Sequence, residues 1–331
     1  MSVTIDGISV VIPNYNGQRL LPAVIPPALE ALGQTGLPWE LVVVDDGSTD
    51  ESLSILARDF PQVTCLRNEV NAGFSVTANK GIRAARFSWV LLLNSDVKLE
   101  PGYFAPLLKY TRRPGVFGVM GRIVGWEDDI IQDGARFPYC QGAKIKTSGQ
   151  YLLAEEEAMR EGIYSMYISG ANSFFNRELF LALGGFNELF SPYYAEDTEL
   201  SFRAWRLGYT CWYDHFAICR HRVSATIATH RKKKQVNVVY NRNKMFLHAI
   251  HLSRPARLLW MSQLVAEVLV KTLVAKWDYT RSFFLFLKNY AGVRQSRRVI
   301  SQLAVSRGLR TVPDFFKLIT DSLRDKNIRR L

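Results

Sequence analysis

LVVVDDGSTD at residues 41–50 decides the fold. Four apolar residues, three of them β-branched, favour a buried extended strand, and two carboxylates with a glycine end it in a polar turn. The same grammar recurs on both sides. Ile8 to Ile12 is a strand stopped by Pro13 and the polar NYNG that follows; residues 63–67 make a third strand; residues 88–93 make a fourth that feeds Asn94-Ser95-Asp96. Between them residues 17–33 read as a helix that Pro22, Pro26 and Pro27 should kink or split, residues 48–59 as a second helix, and residues 74–86 as a third. Alternation of this kind predicts an α/β fold, a mostly parallel sheet flanked by helices. Ligands of such sheets bind beyond the carboxyl ends of the strands, and those ends carry Asn14, Tyr15, Asp45, Asp46 and Asp96.

Further along, residues 122–163 read as an insertion of hairpins and loops, and order resumes at 163–169. A helix is expected from Pro101, another at 177–183 ended by Gly184-Gly185, and another at 196–207 ended by Gly208. After His221 the composition changes to long basic helices, which sets a boundary near 221–235 and divides the chain into 1–230 and 231–331. Charge follows that division. The whole chain of 331 residues has 42 Lys+Arg against 30 Asp+Glu, a net +12; residues 1–221 hold 19 against 25, whereas residues 222–331 hold 23 against 5, with the compact block RKKK at 231–234. Collagen, coiled coil and disulfide mini-protein are excluded by composition. Cys65, Cys140, Cys211 and Cys219 show neither a CxxC pair nor metal spacing, so buried free thiols in a reducing cytosol are expected. No basic leader precedes the short apolar run at 8–13, and export is not expected. Leu258 to Ala266 is uncharged before Glu267 interrupts it, well short of the ~20 residues that span a bilayer.

No GxGxxG follows the first strand and no GxxxxGK[ST] occurs, which removes the main support for a dinucleotide enzyme or P-loop ATPase. Tyr15 can stack on a nucleobase, and Asp46 can accept hydrogen bonds from a base or ribose edge. Either could instead be ordinary: Tyr15 a half-buried loop residue, Asp45 and Asp46 caps of the following helix. Asp96 leaves a hydrophobic strand five residues before the helix expected at Pro101, too far to cap it, and a carboxylate so placed suits a divalent cation. Glu196 and Asp197 stand at a first helical turn beside Tyr193 and Tyr194, where they could cap the helix or act as a general base. His221, after the apolar run 216–219, could be a metal ligand, a phosphate contact or a structural residue.

PNYNG at 13–17, VVVDDGSTD at 42–50, NAGF at 71–74, NKG at 79–81, LLLNSD at 91–96, SGAN at 169–172, GGFNE at 184–188 and AEDTELSFR at 195–203 together resemble the family 2 glycosyltransferases of GT-A fold, in the family's own order from about Ile8 to His221. Within that family the chain is similar to the bacterial rhamnosyltransferase-type branch. The resemblance implies inverting transfer of a sugar, rhamnose being one candidate, from a dTDP- or UDP-sugar with Mg²⁺ or Mn²⁺, to a saccharide or polyprenyl-diphosphate-linked acceptor in cell-surface polysaccharide synthesis. It implies nucleotide-sugar binding in 1–121 and an insertion and acceptor part in 122–230. Tyr15 would stack on the base and Asp46 bind its edge, with Pro13, Asp45, Asn71, Gly73, Asn79 and Ser95 lining the nucleotide pocket. Asp96 holds the last position of the family's DxD motif, with Asn94 standing where the first Asp often is, and His221 would complete the metal site. Asp197 would be the base, Glu196 its neighbour, and Gly170, Ala171 and Gly185 would shape the donor-sugar and acceptor sites.

The basic region is expected to carry a helix with Met261, Val265, Val268 and Thr272 on one side and Glu267, Lys271 and Asp278 on another, with further helices near 296–307 and 313–324. Such a helix suits an interfacial position, aromatics at headgroup depth and cations toward anionic lipid, and since the resemblance implies a lipid-linked acceptor, peripheral attachment at the cytoplasmic face of the inner membrane is expected. A helical hairpin packed on the first domain, or a homo-oligomer contact, is the alternative. Nucleic acid is not expected as a partner, since no zinc finger, RNP-like motif or reading helix is present. A non-catalytic nucleotide-sugar sensor is the remaining alternative, because Asn94 departs from the acidic pattern.

Overall fold

The computed structural model describes residues 5–222, 233–305 and 308–330, so Arg231, Lys232, Arg307 and most of the expected boundary at 221–235 lie outside the described residues. In chain order the first elements are β1 (Ile8–Asn14), α1 (Leu21–Gly33), β2 (Trp39–Asp45), α2 (Ser52–Asp59), β3 (Thr64–Arg67), α3 (Phe74–Ala84), β4 (Trp89–Leu93) and β5 (Val97–Leu99). β6 (Val116–Gly125), β7 (Ile131–Asp133), β8 (Arg136–Gln141), β9 (Lys144–Leu153), α4 (Glu156–Arg160), β10 (Ile163–Tyr164), β11 (Asn172–Asn176), α5 (Arg177–Ala182), α6 (Glu196–Arg206) and β12 (Thr210–His221) follow. The basic region adds α7 (Lys233–His251), α8 (Arg254–Leu273), α9 (Trp277–Lys288), α10 (Tyr290–Ala304), α11 (Val312–Asp321) and β13 (Ile328–Arg330).

Ten of the described strands form one sheet, whose main path runs β10-β12-β6-β11-β4-β1-β2-β3. It is a mixed sheet. β1 to β4 are parallel, as the alternation of strands and helices requires, whereas β11 inserts antiparallel between β4 and β6. Alternate residues of β1 serve two cores: Ile8, Val10 and Ile12 pack with α1 on one face, and Val11 packs with Ala78 and Ile82 of α3 on the other.

Helix α1 is neither split nor shortened at Pro26 and Pro27. Both prolines lie away from the buried face formed by Val24, Ile25, Ala28 and Ala31, so that face holds the helix together. The helix expected from Pro101 is absent. Gly102 has φ of +75° and Pro106 lacks an amide hydrogen, and the segment makes turns before a 3₁₀ helix at Leu108–Arg112. The expectation of four buried thiols holds for Cys211 and Cys219 but not for Cys65, on the last strand of the sheet, or Cys140, in the β8–β9 hairpin, which are both exposed.

The basic helices are built into the body of the protein. Phe315 of α11 stacks on Trp205 of α6 at 5.9 Å and 9°, Phe246, Phe286 and Ile300 belong to the core that α3 and α6 share, and β13 pairs with β9. Arg297 of α10 donates to the carbonyls of Ala249, Ile250 and Leu252 at the end of α7. No helix among the described residues is long and apolar enough to cross a membrane.

Candidate active site

β1 and β2 are in register with Asn14 beside Asp45, which sets the PNYNG and DDGSTD loops next to each other. Ser48 Oγ accepts the Asn16 amide at 2.8 Å, Ser52 Oγ that of Gly17 at 3.0 Å, and Asp50 that of Gln18 at 2.9 Å. Zipped in this way, the two loops form one wall of a cleft of about 380 Å³ at the carboxyl edge of the sheet. Pro13, Tyr15 and Asp46 face it from that wall, Asn71 and Gly73 from the loop before α3, Ser95 and Asp96 from the end of β4, Gly170 and Ala171 from the loop before β11, Glu196 and Asp197 from the start of α6, and His221 from the end of β12.

Three expected residues lie elsewhere. Asp45 is fully buried, accepting from Asn14 Nδ2 and the Ser48 amide at 3.0 Å each, and so holds the turn instead of lining the cleft. Successive side chains of a strand point to opposite faces, so of two adjacent carboxylates only one reaches the pocket. Asn79 donates to the Phe186 carbonyl at 2.9 Å and accepts the Phe186 amide at 2.8 Å. Gly185, at φ +70°, belongs to the same clamp: a Cβ there would sit 2.7 Å from Asn79 Oδ1. Asn79 and Gly185 therefore shape the GGFNE turn and do not touch the cleft.

Asp46 takes the Ala72 and Gly73 amides at 2.9 Å each and Asn68 Nδ2 at 2.8 Å. A carboxylate offers about four acceptor positions, which leaves one for a ligand. Asp96 is buried, and its Oδ1 has no hydrogen-bond partner. His221 Nε2 lies 3.6 Å from that oxygen. The imidazole is oriented by Gln132 of β7, whose Oε1 is 2.9 Å from Nδ1 while its Nε2 donates to the His221 carbonyl at 3.3 Å. In the tautomer that gives Nδ1–H to Gln132, Nε2 presents its lone pair to the space beside Asp96. A buried, unpartnered carboxylate oxygen next to an imidazole nitrogen fits a divalent cation. Among the described residues no cluster of three or more His, Cys, Asp or Glu forms, so these residues offer two candidate ligands, and a nucleotide or water would supply others.

The acid pair is held in a strained entry. Tyr194 and Ala195 both have positive φ, 76° and 68°, unusual for residues with a Cβ and found where surrounding structure enforces it. Asn243 of α7 enforces it here: its amide nitrogen lies 2.6 to 2.9 Å from the carbonyls of Phe190, Tyr193 and Tyr194. Asp197 then accepts the Gly170 amide at 3.1 Å and the Thr198 amide at 2.6 Å. Burial pushes its carboxyl upward, and those hydrogen bonds offset only part of that rise. Glu196 has an unpartnered Oε2; burial first, and then the charge of Asp197, push it up to about 8. Of the pair, Glu196 is the group that keeps its proton at neutral pH. Gln132 and Asn243 carry no sequence signal, since each acts through a contact between distant parts of the chain.

This fold, with a cleft at the carboxyl edge of a mixed sheet, is the GT-A fold of the solved structures it resembles. GalNAc-T7, solved with UDP, GalNAc and Mn²⁺, superposes with a TM-score of 0.67 at 16% identity over 98% of this chain and 58% of that one. The mannosyltransferase of Pyrobaculum calidifontis in complex with GDP-Man and Mn²⁺ gives 0.53 at 17% identity, over 96% and 84%. The sequence model of glycosyl transferase family 2 matches residues 9–184, and the chain belongs to that family. Its relatives include the undecaprenyl-phosphate 4-deoxy-4-formamido-L-arabinose transferase of Pectobacterium carotovorum, 36% identical over 132 residues; the match spans 38% of this chain and 39% of that protein's length.

Proposed function

We propose that the chain transfers a sugar, with inversion, from a nucleoside-diphosphate sugar to a saccharide acceptor carried on a polyprenyl lipid. The observation that carries this reading is the unpartnered Asp96 oxygen beside His221 in the same cleft as the Glu196–Asp197 pair. Tyr15 stacks on the base and Asp46 uses its remaining acceptor position on the base edge. Asp197 accepts the proton of the attacking hydroxyl, and the Gly170 and Thr198 donors keep its lone pair aimed while Glu196 stays protonated beside it. Asp96 and His221 would hold Mg²⁺ or Mn²⁺, which neutralises a diphosphate leaving group. The Mn²⁺ in the two solved neighbours supports the cation, and the lipid phosphate in the name of the Pectobacterium relative supports a lipid-linked acceptor. The strongly basic second half supports peripheral attachment to an anionic membrane on its cytoplasmic face. Rhamnose as the sugar rests on the sequence resemblance alone.

Binding of dTDP-, UDP- and GDP-sugars by thermal shift, followed by transfer to polyprenyl-diphosphate saccharides, tests the reading. Asp197→Asn should lower transfer by about 10² to 10⁴ while nucleotide affinity stays. Asp96→Ala should abolish the Mn²⁺-dependent part of donor binding. Equal loss of nucleotide affinity in Asp197→Asn would remove the residue as base, and donor binding without transfer or hydrolysis would make the protein a sensor.

A further inference from the structure

Helix α8 buries one side and leaves the other uncovered. Trp260, Leu264 and Val268 face the core. Glu267 faces the β8–β9 hairpin and α9, pairing with Lys144 at 2.6 Å and accepting from Tyr279 at 2.8 Å. Outward lie Leu258, Val265, Leu269 and Leu273, 65%, 45%, 62% and 86% exposed, and the surface continues into α9 with Trp277 and Phe284, each 63% exposed. At 100° per residue the exposed positions of α8 from 258 to 274 fall within about half its circumference. None of them is charged, and Ser262, the polar one, returns its hydroxyl to the Leu259 carbonyl at 2.7 Å. A soluble monomer rarely leaves an apolar stripe of this length uncovered.

Charge identifies what covers it. Arg254 stands exposed at one end of the stripe, and Lys276, Arg281 and Lys288 at the other. A second copy of the chain would bring 23 basic against 5 acidic residues of the same region, so two copies repel, whereas anionic lipid complements them. We propose that the outward face of α8 and the start of α9 lie in the headgroup–acyl boundary of an anionic bilayer, with Leu269, Leu273 and Trp277 inserted and the flanking cations at the phosphates. The assignment builds on the lipid-linked acceptor proposed above, since it brings the enzyme to the surface where such an acceptor resides.

Flotation of the full chain with phosphatidylcholine vesicles, with and without phosphatidylglycerol, tests it. The wild type should float with the mixed vesicles. Combined Leu269→Gln, Leu273→Gln and Trp277→Gln changes touch only exposed side chains and should leave the melting temperature in place, yet lower vesicle binding by more than about tenfold. Lys276→Glu with Arg281→Glu should weaken binding to the mixed vesicles by about tenfold and flatten its salt dependence. A wild type that stays with neither vesicle, or a triple variant that floats unchanged, overturns the proposal. So does a dimer in sedimentation that the triple variant dissolves, since it would give the face to a second copy. Thermal response to UDP- and dTDP-sugars, measured in the same preparations, keeps the two readings apart: loss of that response with flotation intact would end the transfer reading and leave the surface standing.

Discussion

Glu196 is the residue whose environment makes the sharpest demand. Its ordinary value is 4.5 and burial raises it to about 8. Below 4.5 the folded and unfolded chains both carry the proton; between 4.5 and 8 only the folded chain keeps it, so stability falls as pH rises through that window and the full cost is present above 8. Glu196→Gln should therefore add nothing at pH 4 and on the order of 3–5 kcal/mol near pH 8.5, measured by urea unfolding of both proteins at the two pH values. An equal difference at both would show that the carboxyl titrates normally. Gln132 makes the second demand at this scale. Removing the amide that orients a ligating imidazole typically costs 10- to 100-fold in metal affinity, so with His221 in its proposed role Gln132→Ala should weaken Mn²⁺ binding by about that factor in an electron paramagnetic resonance titration, and Gln132→Glu should restore it. Sequence could name Asp96 and His221, which end apolar strands, but not Gln132, which sits in an insertion without pattern and is 89 residues from its partner.

At the scale of elements, local patterning was legible where one periodicity dominated. β1, β2 and β4 have one reading each, and all lie as expected. Choices between two equivalent readings were not legible. Adjacent Asp45 and Asp46 differ only in which face of the strand end they take, and α8 has apolar residues on two sides, of which the side bearing Trp260 and Leu264 packs inward. The NKG and GGFNE motifs were visible, while their mutual contact was not. That contact gives a measurable consequence: Gly185→Ala forces a side chain into a left-handed position and against Asn79 Oδ1 at 2.7 Å. The cost should be about 2 kcal/mol or more, seen as a drop in melting temperature of several degrees. Because Gly185 does not line the cleft, donor affinity of the surviving folded protein should be unchanged.

For the molecule as a whole, the opposite charges of the two parts of the chain suggest a catalytic body and a basic appendage, but their packing makes them interdependent. The buried Glu199 of α6 shows the joint: burial pushes its carboxyl up, yet Arg203 and the nearby His251 of α7 outweigh that and hold it at about 2. Asn243 shows what the joint does, because the loop that delivers Glu196 and Asp197 is tied to the two N–H donors of this one amide on α7, whose nitrogen lies within 2.9 Å of three carbonyls. Asn243→Ala removes this amide and lets Tyr194 and Ala195 relax from positive φ, which displaces Asp197 within the cleft. A misplacement of about 1 Å costs roughly 10² in rate, so kcat should fall by about that factor while the KM for the nucleotide sugar, assigned in the proposal to the Tyr15 and Asp46 wall, changes little. If kcat and donor KM instead deteriorate together, the basic helices support the whole cleft and not the acid loop alone. Such dependence gives the C-terminal region a catalytic duty besides its proposed place at the lipid surface, since the helix that precedes the exposed stripe also positions the acid pair.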